Sequence, residues 1–482
     1  MTSQDLRLPH YLRDDVSIGI AHFGVGNFHR AHQAVYLNEL FNRGIARDWA
    51  ICGIGVLPGD ARMRDALVSQ NYTYTHVERW ADGEIRGQRI ASIVDYLFAP
   101  DDPEKVILLL ANPSIRIVSL TITEGGYNVG AVTGQFDANN PAVLVDLAPG
   151  AVPATVFGLV TEGLARRRAA GVAPFTVMSC DNLQGNGAVA RKSFVAFATL
   201  KDPDLGAWIA DNVQFPNSMV DRITPVTSDQ DRQFVEREFG VADPWPVLSE
   251  AYIQWVIEDS FTLGRPLLDE VGVEVVPDVV PYELMKLRLL NASHQALTYF
   301  GLLLGYEFVH EAANDPLVAR LLERYLSEEA EPTLIPIPGF DVAGYGATAV
   351  ERFRNPYIRD TLARIAIDAS DRISTFLLPV AVDGVVASRP TPLVAGIVAS
   401  WAWYCGWDAR FPDRQEPLVD AAVAAQARTP SGFLDERRLF GALGESAEFA
   451  ASFASTYERI AAQGPRAALE ALVGRSSESA PS

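Results

Sequence analysis

Apolar residues along this chain fall into two regimes. Up to about residue 280 they come as short β-branched runs separated by stretches with helical spacing. The run S-I-G-I-A-H-F (17–23), ending at Gly24, reads as a strand buried on both faces, with a helix at 30–42. W-A-I-C-G-I-G (49–55), I-R-I-V-S-L-T-I-T (115–123) and F-T-V-M-S-C (175–180) repeat the strand pattern. Such strands alternating with helices predict an α/β unit whose sheet is mostly parallel and covered on both sides. Residues 72–80, with their Y-T-Y-T alternation, predict an antiparallel piece. From Pro281 onward the spacing predicts helices over 281–304, 315–330, 341–353, 356–380, 391–407, 415–427 and 447–473. Pro332, Pro336 and Pro338 predict an extended connection among them. V-V-P-D-V-V-P (275–281) places a domain boundary near 275–285, giving an α/β domain over 1–280 and a mainly α-helical domain over 281–482.

Composition narrows the class. With 482 residues, 48% hydrophobic and 21% charged, the chain can bury two substantial cores. Its 40 basic and 60 acidic residues give a net charge of −20 and no long basic run, which disfavours binding to nucleic acid. Cys52, Cys180 and Cys405 are far apart and odd in number, so reduced thiols are expected rather than a disulfide framework or zinc cluster. The N-terminus lacks a basic-then-apolar signal pattern, and no uncharged apolar run reaches the ~18–20 residues of a membrane span. A cytoplasmic protein with no membrane partner is expected, with a frayed tail at S-S-E-S-A-P-S.

The first strand runs into G-V-G-N-F-H-R-A-H (24–32). Gly24 and Gly26 allow a tight turn and close approach of a pyrophosphate to backbone amides. The strict G-x-G-x-x-G pattern fails at its third glycine, where His29 stands. Beyond the second strand, Gly53-Ile54-Gly55 is followed by Asp60, farther from the glycines than the usual ~20 residues. An acid there would bond an adenosine ribose and repel a 2′-phosphate, favouring NAD over NADP; a solvated loop acid or helix cap is the alternative. Gly185-Asn186-Gly187 with Arg191-Lys192-Ser193 imitates a phosphate loop but lacks the glycine before the lysine. His29 and His32 lie one helical turn apart; directly after the glycine turn, cofactor contact or capping is expected ahead of metal binding.

E-L-M-K-L-R-L-L-N-A-S-H (283–294) places polar groups on an otherwise apolar helix. At ~100° per residue, Glu283 lies about 60°, His294 about 80° and Asn291 about 140° from Lys286, with Arg288 and Gln295 nearly opposite. The first four could converge on one pocket; alternatively Lys286 reaches solvent and His294 satisfies a core bond. A buried amine loses its preference for the charged form and becomes a possible base. Glu283 could relay its proton, and the Asn291 amide could donate to a developing alkoxide.

These segments carry a resemblance. The chain resembles the polyol-specific long-chain dehydrogenases/reductases through G-V-G-N-F-H-R-A-H (24–32), S-L-T-I-T-E-G-G-Y (119–127), F-T-V-M-S-C-D-N-L (175–183), M-V-D-R-I-T-P (219–225) and K-L-R-L-L-N-A-S-H (286–294). The resemblance implies a Rossmann-type, dinucleotide-binding N-terminal domain and a helical C-terminal domain for substrate binding and catalysis. It implies metal-independent hydride transfer to NAD from a small polyol, interconverting D-mannitol and D-fructose. Lys286 matches the general base, Asn182 and Asn291 the pair that bonds the reacting oxygen, and His294 a substrate-hydroxyl ligand. Asp221, fixed by its neighbour Arg222, matches a polar site residue; Arg364 matches a substrate-binding arginine, and Glu283 borders the same site. Gly24, Gly26, Asn27, Phe28, Asp60 and Glu124 fall on the cofactor-binding positions. I-A-I-D-A-S-D-R-I-S-T-F (365–376) matches a segment that closes on the polyol, with Arg372 where mannitol-oxidising members can have lysine. That departure keeps arabinitol, sorbitol and the hexuronates (fructuronate, tagaturonate) in play as substrates, since an arginine fork also suits carboxylates. A non-catalytic NAD-sensing protein would need none of these polar groups. Family members are often monomers, and a monomer is expected here.

Overall fold

The computed structural model describes residues 5–130, 134–406 and 425–474. The chain divides into two compact units, Met1–Val280 and Pro281–Ser482. Strands of the first unit, in chain order, are Ile18–Phe23 (β1), Ala50–Gly55 (β2), Tyr74–Arg79 (β3), Ile85–Ile90 (β4), Ile93–Phe98 (β5), Ile117–Leu120 (β6), Thr176–Ser179 (β7), Ser218–Asp221 (β8), Val247–Glu250 (β9), Gln254–Glu258 (β10) and Glu274–Val276 (β11).

Five of them make an all-parallel sheet in the order β5-β2-β1-β6-β7. Alternate residues enter two different cores. Ile20, Ile117 and Met178 pack with Leu37, Leu40 and Phe41 of the helix Gln33–Asn42. Ala21, Phe23, Val118, Leu120 and Val177 pack with Leu110, Leu159, Leu164 and Phe194 from helices on the other face. Helices covering both faces explain why these strands read as unbroken apolar runs. Asp-Pro and Asn-Pro pairs start several of the helices. Asp102, Asn140 and Asp202 accept from Lys105 N, Ala142 N and Leu205 N, while the proline takes a first-turn position that needs no donor.

The alternating segment at 72–80 forms β3, which pairs antiparallel with β4 and parallel with β9. A third small sheet has the order β11-β10-β8. Two expected elements differ. The 115–123 strand stops at Leu120, because the next N–H groups but one, those of Ile122 and Thr123, bond the Asp181 carboxylate instead of continuing the ladder. The 30–42 helix starts earlier, at Asn27, and is broken at His32 (φ −125°, ψ −94°), whose Nε2 lies 2.9 Å from the Gln254 carbonyl oxygen.

The second unit is helical. Ala292–Leu304 and Pro392–Gly406 are apolar nearly all round and run through its interior. The single helix expected over 356–380 is instead Leu362–Ile365, Ala369–Arg372, a π segment Ile373–Leu377 and Leu378–Val386. Asp368 in the left-handed region (φ 55°) ends one piece, and Pro379 lacks the N–H to continue another. The helix expected over 447–473 is two, Ala447–Gln463 and Pro465–Gly474, split by Gly464 at φ 86° and the proline after it. Most of the expected 415–427 helix, and the tail from 475, lie outside the described residues. No helix among the described residues is long and apolar enough to cross a membrane.

Candidate active site

The glycine turn follows β1. Gly24 has φ 88°, and a Cβ there would fall 2.0 Å from the Thr121 carbonyl oxygen, so no other residue fits. Gly26 N–H donates to Gly24 O at 2.7 Å, and Thr121 Oγ1 donates to the same carbonyl at 2.6 Å. A Cβ on Gly26 would meet only Gly24 O, at 3.9 Å, so the space over this residue is open. The missing third glycine has a structural reason. His29 is buried and stacks on His22 of β1 with ring centroids 3.5 Å apart. His22 in turn lies 2.8 Å from Ser119 Oγ and 3.0 Å from Thr121 Oγ1. Burial holds the His22 imidazole down at about 3 and His29 well below its ordinary value, so both stay neutral at physiological pH. His32 stacks on Phe28 at 4.9 Å. These histidines act as the packed floor of the turn.

The Asn27 side chain is committed internally. Its amide donates to Pro225 O and Thr227 Oγ1, and its oxygen accepts from Arg30. It thereby ties the glycine turn to the segment after β8. Asp60 closes the turn beyond β2, its Oδ2 accepting from Val56 N and Leu57 N, both at 2.9 Å.

Other candidate residues stand just past neighbouring strands. Glu124 opens an exposed turn after β6, Asn182 is exposed three residues beyond the end of β7, and Asp221 ends β8, 2% exposed. Arg222 is buried and donates to Glu250 O, Ala31 O and Glu78 Oε1, pinning the end of β8. Between Glu124 and Asn182 lies Asp181, a residue the sequence reading passed over. Its carboxylate accepts from Ile122 N (3.0 Å), Thr123 N (2.9 Å) and Tyr127 Oη (2.7 Å). Burial pushes its carboxyl up to about 6, against the pull of those donors. The clue was an acid at the end of an apolar strand, as His22 and Ser119 are polar groups inside others. The false phosphate loop serves packing: a Cβ on Gly187 would fall 2.5 Å from Phe215 O, and Asn186 bonds Asp181 O and Ser218 O.

In the second unit, Val280–Lys286 passes into a π segment, Leu287–Asn291, and then Ala292–Leu304. This changes the angular reckoning made with a constant helical turn. A π turn closes on i→i+5, so Asn291 stands one turn from Lys286 instead of well around the helix. Glu283 lies three residues before Lys286 and His294 three after Asn291, so the four share one face. Glu283 and Lys286 are 4% and 7% exposed. His294 packs on Phe353 at 4.1 Å. Arg288 faces away, donating to Thr333 O and pairing with Asp383. Arg364 directs Nε and Nη2 to buried Asp360, and Arg372 donates from Nη1 to Ile365 O at 3.0 Å, capping the short helix that carries Arg364.

A parallel sheet with a glycine turn after β1, followed by a helical unit bearing a buried lysine, defines a Rossmann-type α/β protein with an appended helical domain. Residues 18–270 match the mannitol dehydrogenase Rossmann domain, and 278–461 the mannitol dehydrogenase C-terminal domain. The chain belongs to the mannitol dehydrogenase family. It is 42% identical to mannitol 2-dehydrogenase of Phaeosphaeria nodorum over 97% of this chain and 83% of that one. It is 44% identical to the Aspergillus fumigatus enzyme of that name over 90% and 89%. Among solved structures, Pseudomonas fluorescens mannitol 2-dehydrogenase in ternary complex with NAD and D-mannitol superposes with a TM-score of 0.88 at 43% identity, covering 98% and 97%. A substrate-free D-sorbitol dehydrogenase superposes at 0.90, with 37% identity over 96% and 97%.

Proposed function

We propose that the protein is an NAD-dependent mannitol 2-dehydrogenase interconverting D-mannitol and D-fructose, with Lys286 as general base. The observation that carries this reading is the π turn that stacks Asn291 on buried Lys286, with Glu283 and His294 on the same face. The glycine turn fits a dinucleotide: Gly24 is sterically obligatory, the space over Gly26 is open, and Asp60 stands beyond β2 with one carboxylate oxygen outside its two turn bonds. NAD, when bound, supplies the hydride acceptor.

The chain's own residues handle the proton and the charge. Lys286 Nζ, kept poorly hydrated, takes the proton of the C2 hydroxyl. Amide N–H groups of Asn182 and Asn291 stabilise the oxygen as negative charge develops, without competing for the proton. Glu283, one turn from Lys286, passes that proton onward. His294, Asp221, Arg364 and Arg372 hold the remaining hydroxyls. Arg372 does so in part through its neighbour, since its bond to Ile365 O fixes the helix end that presents Arg364.

Replacing Lys286 by alanine is expected to lower kcat for mannitol oxidation by about 10²–10⁴-fold, the usual worth of a positioned base. NADH absorbance reads this directly, and near-normal turnover at neutral pH excludes Lys286 from the role. The fold match to D-sorbitol dehydrogenase favours sorbitol as the second reading. A panel of mannitol, sorbitol, arabinitol, fructose and fructuronate with NAD and NADP separates the two; greater efficiency on any other than mannitol or fructose replaces the first choice.

A further inference from the structure

We infer that Asp181 is a positioning residue for this reaction: its carboxylate gathers Ile122 N, Thr123 N and Tyr127 Oη, and so fixes the loop of Glu124 against the residue that follows it, Asn182. The inference rests on the polyol dehydrogenase reading. A buried carboxylate bonded only to neutral donors is a costly way to hold a loop together, because desolvation of the charge is not offset by a cation. Its geometry shows what the charge secures. Thr123 sits at φ 65° with ψ 166°, a conformation side chains avoid, and two adjacent amides aimed at one carboxylate hold it there. That conformation turns the chain from β6 into the Glu124–Tyr127 turn.

The clamp extends to other strand ends. Tyr127 Oη lies 2.5 Å from Ser179 Oγ, and Tyr127 O accepts from Ser193 Oγ at 2.8 Å. Asp181 O accepts from Asn186 Nδ2 at 3.0 Å. Asn186 also exchanges hydrogen bonds with the Ser218 backbone, and Ser218 Oγ donates to Ser179 O at 2.6 Å. One network therefore sets the ends of β6 and β7, after which Glu124 and Asn182 follow, and the start of β8 at Ser218. An amide in place of the Asp181 carboxylate can accept from the backbone through one atom only, and its NH₂ would oppose a donor.

The group's titration supplies a test that a purely structural role would not meet. Glu124, Tyr127 and Cys180 are the titratable neighbours; burial, helped to a smaller degree by Glu124, raises the Asp181 carboxyl to about 6, and Tyr127 and the two amides pull it down. In fructose reduction the lysine must donate its proton, so protonation of Lys286 at low pH favours turnover. An acid limb near pH 6 in that direction then reports Asp181 taking up a proton and releasing the clamp. With the full-length enzyme, Asp181→Asn is expected to lower kcat by about 10–100-fold, to change KM for NADH by less than about threefold, and to abolish the acid limb. Tyr127→Phe, a smaller change, removes one stabilising donor and moves the limb to higher pH. An Asp181→Asn enzyme with unchanged kcat, or one keeping the limb, overturns the inference; so does an unmoved limb in Tyr127→Phe, which decides the matter if the asparagine variant does not fold. Wild-type protein inactive on every polyol and ketose of the panel overturns the function and the inference together.

Discussion

Under the proposed function, Asp60 would serve the fold and a ligand at once. Oδ2 holds the turn after β2 through two backbone N–H groups, and in that role the acid's charge would repel a 2′-phosphate. Alanine would remove both roles, so asparagine is the cleaner probe, keeping an acceptor for the turn while deleting the charge. Asp60→Asn is expected to narrow the preference for NAD over NADP by about 10-fold, some 1.4 kcal/mol of repulsion relieved, with little change in melting temperature. Equal kcat/KM for the two cofactors in the unmutated protein disproves the assignment. Residues such as Asp60 and Lys286 draw notice in the sequence, as candidates, because their types stand out in apolar or glycine-rich surroundings. Asp181, His22 and Ser119 do not, because their meaning lies in partners 58, 97 and 86 positions away in the chain. The false phosphate loop shows the converse: Gly187 is explained by packing against Phe215 O and Pro216 O, and Gly185 by its φ of 61°, which no local pattern reveals.

At the scale of elements, the strands were the most readable feature, since burial on both faces writes itself as a run of apolar residues. Helix continuity was not. The π turn at Leu287–Asn291, the break at His32 and the fragmentation of 356–380 leave the hydrophobic spacing almost intact. Another such turn, Tyr325–Ala330, carries Glu329, whose Oε1 and Oε2 accept from Leu393 N and Val394 N at the start of the helix Pro392–Gly406. Burial raises this carboxyl to about 8, against the pull of the two amides. An acid with a raised pKa binds its proton more tightly in the folded chain than in the unfolded one, where it titrates near 4.3. The stability this confers is present at the acidic end of the window and is lost as pH climbs from near 4.3 to about 8. Glu329→Gln lacks that proton linkage, so the stability gap between wild type and variant should change by about 1–3 kcal/mol between pH 5 and 9, in the direction that favours the variant at high pH. Denaturant midpoints at the two pH values measure it, and a gap independent of pH rules out titration of Glu329 in this range.

The whole molecule carries 40 basic against 60 acidic residues, a net charge of −20. That field bears on the two proposed reactants differently, because NAD(H) carries a negatively charged diphosphate and mannitol carries no charge. At low ionic strength the negative surface slows the approach of the dinucleotide; raising salt from ~20 to ~200 mM shortens the Debye length from roughly 20 Å to roughly 7 Å and screens it. The association rate of NADH, followed by stopped-flow fluorescence, should therefore rise by about 2–5-fold over that range, with the dissociation rate nearly constant. The KM for mannitol provides an internal control, since an uncharged polyol feels no such field. An NADH association rate that falls with salt would mean that basic groups near the glycine turn outweigh the global charge and draw the coenzyme in.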